Sequence, residues 1–195
     1  MKLEGKRVGF ALCGSHCTLA DVMPSVAAVV ATGAKVVPIL SEAVANTDTR
    51  FGTASHWRQA LEAATGTRAL TSIVEVEPIG PQQLFDVVVV APCTGNTLAK
   101  IAHAITDSVV TMTVKAHLRN ERPVVLAMST NDGLGLNARN IGALLVARNV
   151  YFVPFGQDNP QSKPKSLVAN MEKLIATIEA ALDGRQIQPL LVSYD

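Results

Sequence analysis

The stretch FDVVVVAPCTGNTLAK, residues 85–100, joins a run of four valines to a group of small and polar residues. Valine is β-branched, and an unbroken apolar run of this length is typical of a strand that is buried on both faces. The run predicts a strand over residues 86–91. The letters NTLAKIAHAI that follow predict a helix over residues 96–105, so the polar residues lie at a strand-to-helix junction.

Short apolar runs alternate with helical patterns on both sides of this stretch. The other predicted strands are 7–13, 35–40, 122–128 and 150–155, and the other predicted helices are 18–33, 55–66, 108–119, 136–149 and 166–182. Such alternation is typical of an α/β protein with a doubly wound parallel sheet between helical layers, a Rossmann-like three-layer fold. We expect one domain over residues 1–195, with long loops at 41–54, 74–85 and 156–165.

Composition excludes several classes of protein. Hydrophobic residues make up 48% and charged residues 17% of the 195 residues, which provides a core and argues against disorder. A net charge of +1 predicts neither nucleic-acid binding nor a membrane-surface patch. The apolar runs are too short to span a bilayer, and the N-terminus lacks a signal-peptide pattern. We expect a soluble cytoplasmic protein.

The chain has three cysteines, Cys13, Cys17 and Cys93. An odd number in a chain with cytoplasmic features predicts free thiols, and small free cysteines are usually buried. The spacing of Cys13 and Cys17 matches no common zinc site. We expect Cys13 and Cys93 to be reduced and structural, and we expect no metal. We expect Cys17 to be buried as well, and the alternative is a thiolate near the start of a helix.

The candidate site lies at the carboxyl ends of two strands that we expect to be neighbours. In doubly wound sheets, ligands bind where the strand order reverses. The first strand is followed by CGSHCT, in which Gly14 permits close backbone approach and Ser15 and Thr18 offer hydroxyl groups. Ser41 follows the second strand and adds another hydroxyl. The alternative is that these are ordinary tight turns and helix N-caps.

The glycines do not form a dinucleotide motif. Gly9 and Gly14 are wrongly spaced for G-x-G-x-x-G, and no P-loop is present. A mononucleotide therefore fits these short loops better than NAD or ATP.

The motif APCTGNTLAKIAHAITD, residues 91–107, resembles the flavoprotein superfamily of flavin-containing cysteine decarboxylases and flavin prenyltransferases. The matching residues are Pro92, Thr94, Asn96, Thr97 and Lys100, while Cys93 and Gly95 stand where alanine is common. The resemblance implies a flavoprotein fold, bound FMN and a homo-oligomer.

The same resemblance implies a set of cofactor-binding residues. They are Gly14, Ser15, Ser41, Pro92, Thr94, Gly95, Asn96 and Thr97. It places the flavin ring over residues 92–97, the phosphate near Gly14, Ser15 and Ser41, and the Asn96 side chain toward flavin or substrate. Asn96 can alternatively be an ordinary N-cap. We also expect Gly95 to leave room for the ring, so that Gly95→Val blocks binding without disturbing the fold.

Two longer segments, 77–132 and 149–170, resemble a narrower family, the B subunits of dipicolinate synthase from spore-forming bacteria. This resemblance implies an oxidoreductase-type conversion of dihydrodipicolinate, or its hydroxytetrahydro precursor, to dipicolinate in the mother cell during sporulation. It also implies a partner, the A subunit of dipicolinate synthase, which carries NADP where the reaction uses it, and a small dicarboxylate substrate. Two alternatives stay open: a non-catalytic nucleotide-binding partner of the A subunit, and a flavin-dependent decarboxylase.

This sequence departs from the superfamily pattern at residues that serve the reactions of its members. VEVEPIGPQQLFD lacks the catalytic histidine of the decarboxylases, and AMSTND places Ser129 where their asparagine stands. Ser129 and Thr130 also replace the arginine of the prenyltransferases.

Three further residues are candidates for chemistry. His16 lies at the expected mouth of the site and can transfer protons near neutral pH, or it can be a plain polar loop residue. Lys163 and Lys165 would suit a dicarboxylate substrate, together with Asn96, although surface lysines are usually solvated. His103 falls inside a predicted helix and is expected to be a surface residue.

Overall fold

The computed structural model describes residues 3–194 as alternating strands and helices. The strands are β1 Arg7–Leu12, β2 Lys35–Leu40, β3 Val87–Cys93, β4 Val124–Thr130, β5 Val150–Phe152, β6 Phe155–Gly156 and β7 Leu167–Ala169. The α-helices are α1 Leu19–Ala31, α2 Glu42–Asn46, α3 Ala54–Thr65, α4 Ile73–Val76, α5 Ile79–Gln82, α6 Gly95–Ala102, α7 Val109–Leu118, α8 Ala138–Leu145 and α9 Leu174–Leu182. Two 3₁₀ turns cover His16–Thr18 and Met171–Lys173.

The sheet runs in the order β2-β1-β3-β4, and β5 pairs with β4. These pairings are all parallel, which confirms the predicted doubly wound α/β sheet. β1 lies between β2 and β3, so the strand order reverses at the gap between β1 and β3. The expectation that the first strand and the valine strand are neighbours is therefore correct, and their carboxyl ends meet at one edge.

The valine run is buried on both faces, as predicted. Val87 and Val89 belong to the hydrophobic cluster that packs under α1, α3 and α9. Val88 and Val90 belong to the opposite cluster under α6, α7 and α8. Because successive side chains point to opposite faces, one β-branched run supplies both layers of the core and holds the end of β3 firmly.

The chain departs from the sequence expectation after residue 150. The predicted strand 150–155 divides into β5 and β6, and the predicted helix 166–182 begins only at Leu174. Residues 167–169 form β7, which is antiparallel to the end of β4 and to β6. Asn170 then accepts a hydrogen bond from the backbone N–H of Glu172 at 3.0 Å, which starts the turn into α9.

The loops also contain structure that was not expected. Residues 41–54 include α2, and residues 74–85 include α5 and part of α4. The helix predicted to reach residue 105 ends at Ala102, and Ala104 adopts a positive φ of 55°.

The C-terminal segment covers the free edge of β5 with a side chain. The Gln186 amide donates to the carbonyl of Phe152 at 2.7 Å and accepts from its N–H at 2.8 Å. Further on, Val192 donates its N–H to the carbonyl of Phe155 at 3.0 Å.

Within residues 3–194, no helix combines the length and hydrophobicity that a transmembrane span requires. The same residues contain no group of three or more histidine, cysteine or acidic side chains placed to hold a metal.

Candidate functional site

A cleft of about 370 Å³ opens at the carboxyl ends of β1, β2 and β3. Its lining residues are Gly14, Ser41, Glu42, Ala43, Thr94, Asn96, Thr97, Lys100 and Ser108. The structure thus brings together five of the predicted cofactor residues from three separate segments. Glu42 and Lys100 carry its charges, and Lys100 is held by Asp107 at 2.8 Å.

The junction between β3 and α6 is capped by Thr94. Its hydroxyl oxygen accepts the N–H of Thr97 at 3.2 Å, and the hydroxyl donates to the Thr97 side chain at 3.1 Å. Asn96 is therefore not the N-cap, and that alternative is wrong. It lies in the first turn of α6 with an exposed side chain beside the cleft. The first N–H groups of a helix have no partner inside the helix, so those of Gly95 and Asn96 are donors.

Gly95 is a glycine because of the loop behind it. A Cβ atom there would lie 2.5 Å from Thr130 Oγ1, 2.6 Å from Asn137 Nδ2 and 2.9 Å from Asp132 Oδ1. Gly95 is buried, and the space that it leaves is occupied by these polar groups. The expectation that Gly95→Val leaves the fold intact is therefore wrong, because a side chain would collide with the loop between β4 and α8.

That loop contains a polar network that sequence reasoning missed. Thr130 donates its hydroxyl to Asp132 Oδ1 at 2.5 Å, and Asn137 donates its amide to both carboxylate oxygens at 2.8 Å. Asn140 donates to Asn137 Oδ1 at 2.8 Å. The hydrogen bonds from Thr130 and then Asn137 lower the pKa of Asp132. The sequence feature that could have indicated this network is the cluster of Ser, Thr, Asn and Asp in STND, because these residues favour local side-chain hydrogen bonds.

Gly14 lies between α2 and the imidazole of His16. A Cβ at this position would lie 2.9 Å from the Ala43 Cβ and 3.4 Å from His16 Nε2. The glycine therefore keeps its backbone open to the cleft. His16 is half-buried next to Gly14, it is not among the residues that line the cleft, and its Nδ1 is buried without a hydrogen-bond partner.

Ser15 and Pro92 form hydrogen bonds between the segments around the site. The Ser15 hydroxyl lies 3.1 Å from that of Ser129 at the end of β4, and the Pro92 carbonyl accepts the N–H of Cys13 at 3.2 Å. Neither residue lines the cleft. Thr18 donates its hydroxyl to the carbonyl of Ser15 at 2.9 Å.

Two of the three cysteines are buried free thiols, as predicted. Burial raises the pKa of Cys13 to about 11. Burial, and then the neighbouring Cys13, raises the pKa of Cys93 well above its usual value. Both therefore stay protonated. Cys17 is exposed, so its expected burial is wrong.

The remaining candidates lie outside this cleft. Lys163 pairs with Asp158 at 3.4 Å, and Lys165 is exposed, with its carbonyl accepting the N–H of Leu134 at 3.0 Å. His103 is an exposed residue at the end of α6, and its Nδ1 lies 2.9 Å from the Ala99 carbonyl.

The cleft lies where the strand order of a Rossmann-like sheet reverses, and the model of the Flavoprotein family matches residues 1–179. The chain belongs to the flavoprotein family. It is 50% identical over 190 residues to the B subunit of dipicolinate synthase from Bacillus subtilis (strain 168), covering 97% of this chain and 95% of that relative.

Solved structures agree with this placement. The crystal structure of the dipicolinate synthase B subunit from Bacillus halodurans C has a TM-score of 0.92 and 51% identity, and 100% of both chains is covered. Burkholderia xenovorans DmrB in complex with FMN has a TM-score of 0.68 and 18% identity, covering 91% of this chain and 96% of DmrB, which shows a shared fold.

Proposed function

We propose that this chain is the B subunit of a dipicolinate synthase and works with the A subunit of that enzyme in the mother cell of a sporulating bacterium. Together they convert dihydrodipicolinate, or its hydroxytetrahydro precursor, to dipicolinate. The observation that carries the proposal is the 50% identity to the Bacillus subtilis protein over 97% of this chain.

We further propose that the cleft binds FMN, and its residues fit such a group. Gly14 leaves backbone open between Ala43 and His16, Ser41 offers a hydroxyl, and the start of α6 presents free N–H groups. FMN binding by the related DmrB fold supports the same assignment. When bound, FMN supplies a two-electron acceptor for the hydride that leaves the ring during aromatisation.

The side chains around the cleft have distinct proposed roles. The exposed amide of Asn96 orients the polar edge of the flavin or the substrate. His16 is the candidate acceptor of the proton that leaves with the hydride, because its imidazole lies next to Gly14. Lys163 and Lys165 are the candidate cations for the two carboxylates of the substrate. NADP, where it takes part, is assigned to the A subunit.

A second candidate is a nucleotide-binding subunit without a chemical role of its own. Two observations favour it: the residues lining the cleft include no histidine, and the lining Lys100 is paired with Asp107. The decarboxylase alternative is disfavoured, because Ser129, whose hydroxyl lies 3.1 Å from that of Ser15, stands where the decarboxylases carry an asparagine.

Reconstitution tests these proposals. The A subunit, this chain, and both together are assayed for dipicolinate with and without FMN and NADP. The proposal expects product only from the pair, and FMN-dependent product if the cleft takes part. Product from the isolated A subunit contradicts the enzymatic role, and product without FMN favours the second candidate.

Calorimetry tests the cleft itself. We expect FMN to bind more tightly than NAD, and Asn96→Asp to weaken FMN binding about tenfold, since a hydrogen-bond donor is lost and a negative charge is added. Gln59→Glu on the exposed side of α3 is the matched control and should bind as the parent does. Equal binding by all three proteins would place the site elsewhere.

We also propose a homo-oligomer in which residues 156–165 lie near an interface between chains. Light scattering at micromolar concentration is expected to give a mass of several chains. A monomer would contradict this assembly.

A further inference from the structure

The candidate cleft is lined by two charged side chains, and the positive one is already neutralised. The ammonium group of Lys100 donates to both carboxylate oxygens of Asp107, at 2.8 and 2.9 Å. Hydrogen bonding from Lys100 lowers the pKa of Asp107, so this carboxylate is ionised at neutral pH. The pair therefore has no net charge, and Lys100 is not a free cation for an anionic ligand.

The negative charge of the cleft belongs to Glu42 and is not compensated. Glu42 directly follows the N-cap Ser41 at the start of α2, it is exposed, and it lines the cleft. Within residues 3–194, its carboxylate has neither an ion-pair partner nor a hydrogen-bond donor. A phosphate group carries about two negative charges at neutral pH, so a free carboxylate is unfavourable next to it. The cleft is therefore selective about which part of a ligand can lie beside Glu42.

The hydroxyl groups of Thr94, Thr97 and Ser108 are used within the chain. Thr94 donates to Thr97 at 3.1 Å, and Ser108 caps α7. Ser41 differs, because its oxygen accepts the N–H of Val44 at 3.5 Å while its hydroxyl hydrogen has no acceptor among the described residues. Positions 41 and 42 therefore present a free donor and a free acceptor side by side.

The order of the strands separates the two ends of the cleft. Asn96 follows β3, Gly14 follows β1 and Glu42 follows β2, and β1 lies between the other two strands. Neighbouring strands are about 4.8 Å apart, so the ends of β2 and β3 are about 10 Å apart. A flavin with its ring at Asn96 would therefore pass Gly14 and reach Glu42 with the chain attached to the ring.

The chemistry of Glu42 decides which part of that chain it can contact. An ionised carboxylate only accepts hydrogen bonds, so its partner must be a donor such as a hydroxyl group. In FMN, the ribityl chain carries hydroxyl groups between the ring and the phosphate. The phosphate suits the donor hydroxyl of Ser41 and the open backbone at Gly14, whereas the neighbouring ribityl hydroxyls suit the carboxylate.

We propose that Glu42 is a specificity-determining residue whose carboxylate accepts hydrogen bonds from the ribityl hydroxyl groups of the flavin. This role of Glu42 rests on the proposed function, because that function identifies FMN as the ligand of the cleft. Hydrogen bonds to an ionised acceptor are roughly twice as strong as those between neutral groups. Glu42 therefore favours flavins that carry the hydroxyl chain over a bare ring, and it disfavours a phosphate at the same position.

Calorimetry with three flavins tests this role. FMN carries the ring, the hydroxyl chain and the phosphate, riboflavin lacks the phosphate, and lumiflavin lacks the whole chain. Glu42→Gln keeps the size of the side chain and one acceptor oxygen but removes the charge. FMN and riboflavin should each bind this variant about fivefold more weakly than they bind the parent, whereas the affinity for lumiflavin should not change. Unchanged lumiflavin binding also shows that the fold and the ring site are kept.

Glu77→Gln is the matched control. Glu77 is an exposed glutamate at the end of α4, it does not line the cleft, and its carboxylate has no partner within residues 3–194. Both substitutions remove one negative charge from the protein, and the control should bind all three flavins as the parent does. An equal change of affinity in both variants would show a general effect of net charge, which overturns the role of Glu42.

The remaining outcomes separate the role of Glu42 from the proposed function. If the parent binds FMN and Glu42→Gln binds FMN and riboflavin equally well, Glu42 is a solvated residue and its role is wrong, while the FMN cleft stands. If the variant binds FMN more tightly and riboflavin as before, the carboxylate faces the phosphate, which also overturns the proposal. A loss of lumiflavin affinity in the variant would place the carboxylate at the ring, with the same consequence. If the parent binds none of the flavins, the FMN site of the proposed function fails, and the role of Glu42 fails with it.

Discussion

Lowering the pH from 7.5 to 5 is expected to remove about 2 kcal/mol of stability through one side chain, His117. It is 1% exposed near the end of α7, and its Nε2 has no hydrogen-bond partner. Burial, and then the positive charge of Arg122, lowers its pKa from 6.5 to about 4. A hydrogen bond to the backbone of Pro123 and the charge of the Asp86 carboxylate oppose this change with smaller effect.

The direction follows from proton binding in the two states. Below pH 6.5 the unfolded chain protonates His117, while the folded chain keeps it neutral until about pH 4. The unfolded state is therefore favoured progressively as the pH falls through this window. At pH 5 the solution is about 1.5 pH units below 6.5, the pKa of the histidine in the unfolded chain. Each unit corresponds to about 1.36 kcal/mol, which gives a loss of about 2 kcal/mol.

Urea unfolding at pH 7.5, 6 and 5 measures this loss. His117→Gln removes the titrating group, so its free energy of unfolding should change much less between pH 7.5 and 5 than that of the parent. Carboxylates with lowered pKa values, such as Asp132, titrate in both proteins and cancel in the comparison. Parallel pH profiles for the two proteins would refute the reasoning, because the buried imidazole would then titrate as it does in the unfolded chain.

Three further outcomes concern the site. Gly95→Ala should cost about 1–3 kcal/mol through overpacking and lower the melting temperature, and an unchanged melting curve contradicts the close approach behind α6. Thr94→Ala should cost about 1 kcal/mol as a lost N-cap, which Thr94→Ser should largely retain in urea unfolding. A thiol reagent should modify Cys17 in the native protein and reach Cys13 and Cys93 only after unfolding, and fast modification of a second thiol contradicts their burial.

The sequence predicted β1, β3 and the loops after them because the pattern that identifies each of these elements lies within one short segment. The valine run needs no partner to be recognised as a strand buried on both faces, and the loops after β1 and β3 meet because parallel neighbours end at the same edge. A cleft also lies at that edge, where the small residues of the two loops predict a site.

The errors occurred where distant contacts decide the structure. SLVANM at residues 166–171 fits helix and strand periodicity equally, and pairing with the end of β4 and with β6 makes residues 167–169 a strand. Thr94 and Asn96 are both good N-caps, and the sequence alone does not show that Thr94, directly after β3, caps the helix. Position 95 requires a glycine because of side chains that lie 35–42 positions later in the chain. A short segment of sequence around Gly95 does not contain them.

The hydrogen bonds of Gln186 bear on how the protein behaves in concentrated solution. Its amide presents one donor and one acceptor to Phe152, the same pair that an adjoining peptide unit would offer. The short strand β5 therefore does not offer this N–H and carbonyl to an incoming chain. A side chain without an amide at position 186 would leave the N–H and carbonyl of Phe152 without this partner. Unpaired strand edges are sites at which chains aggregate.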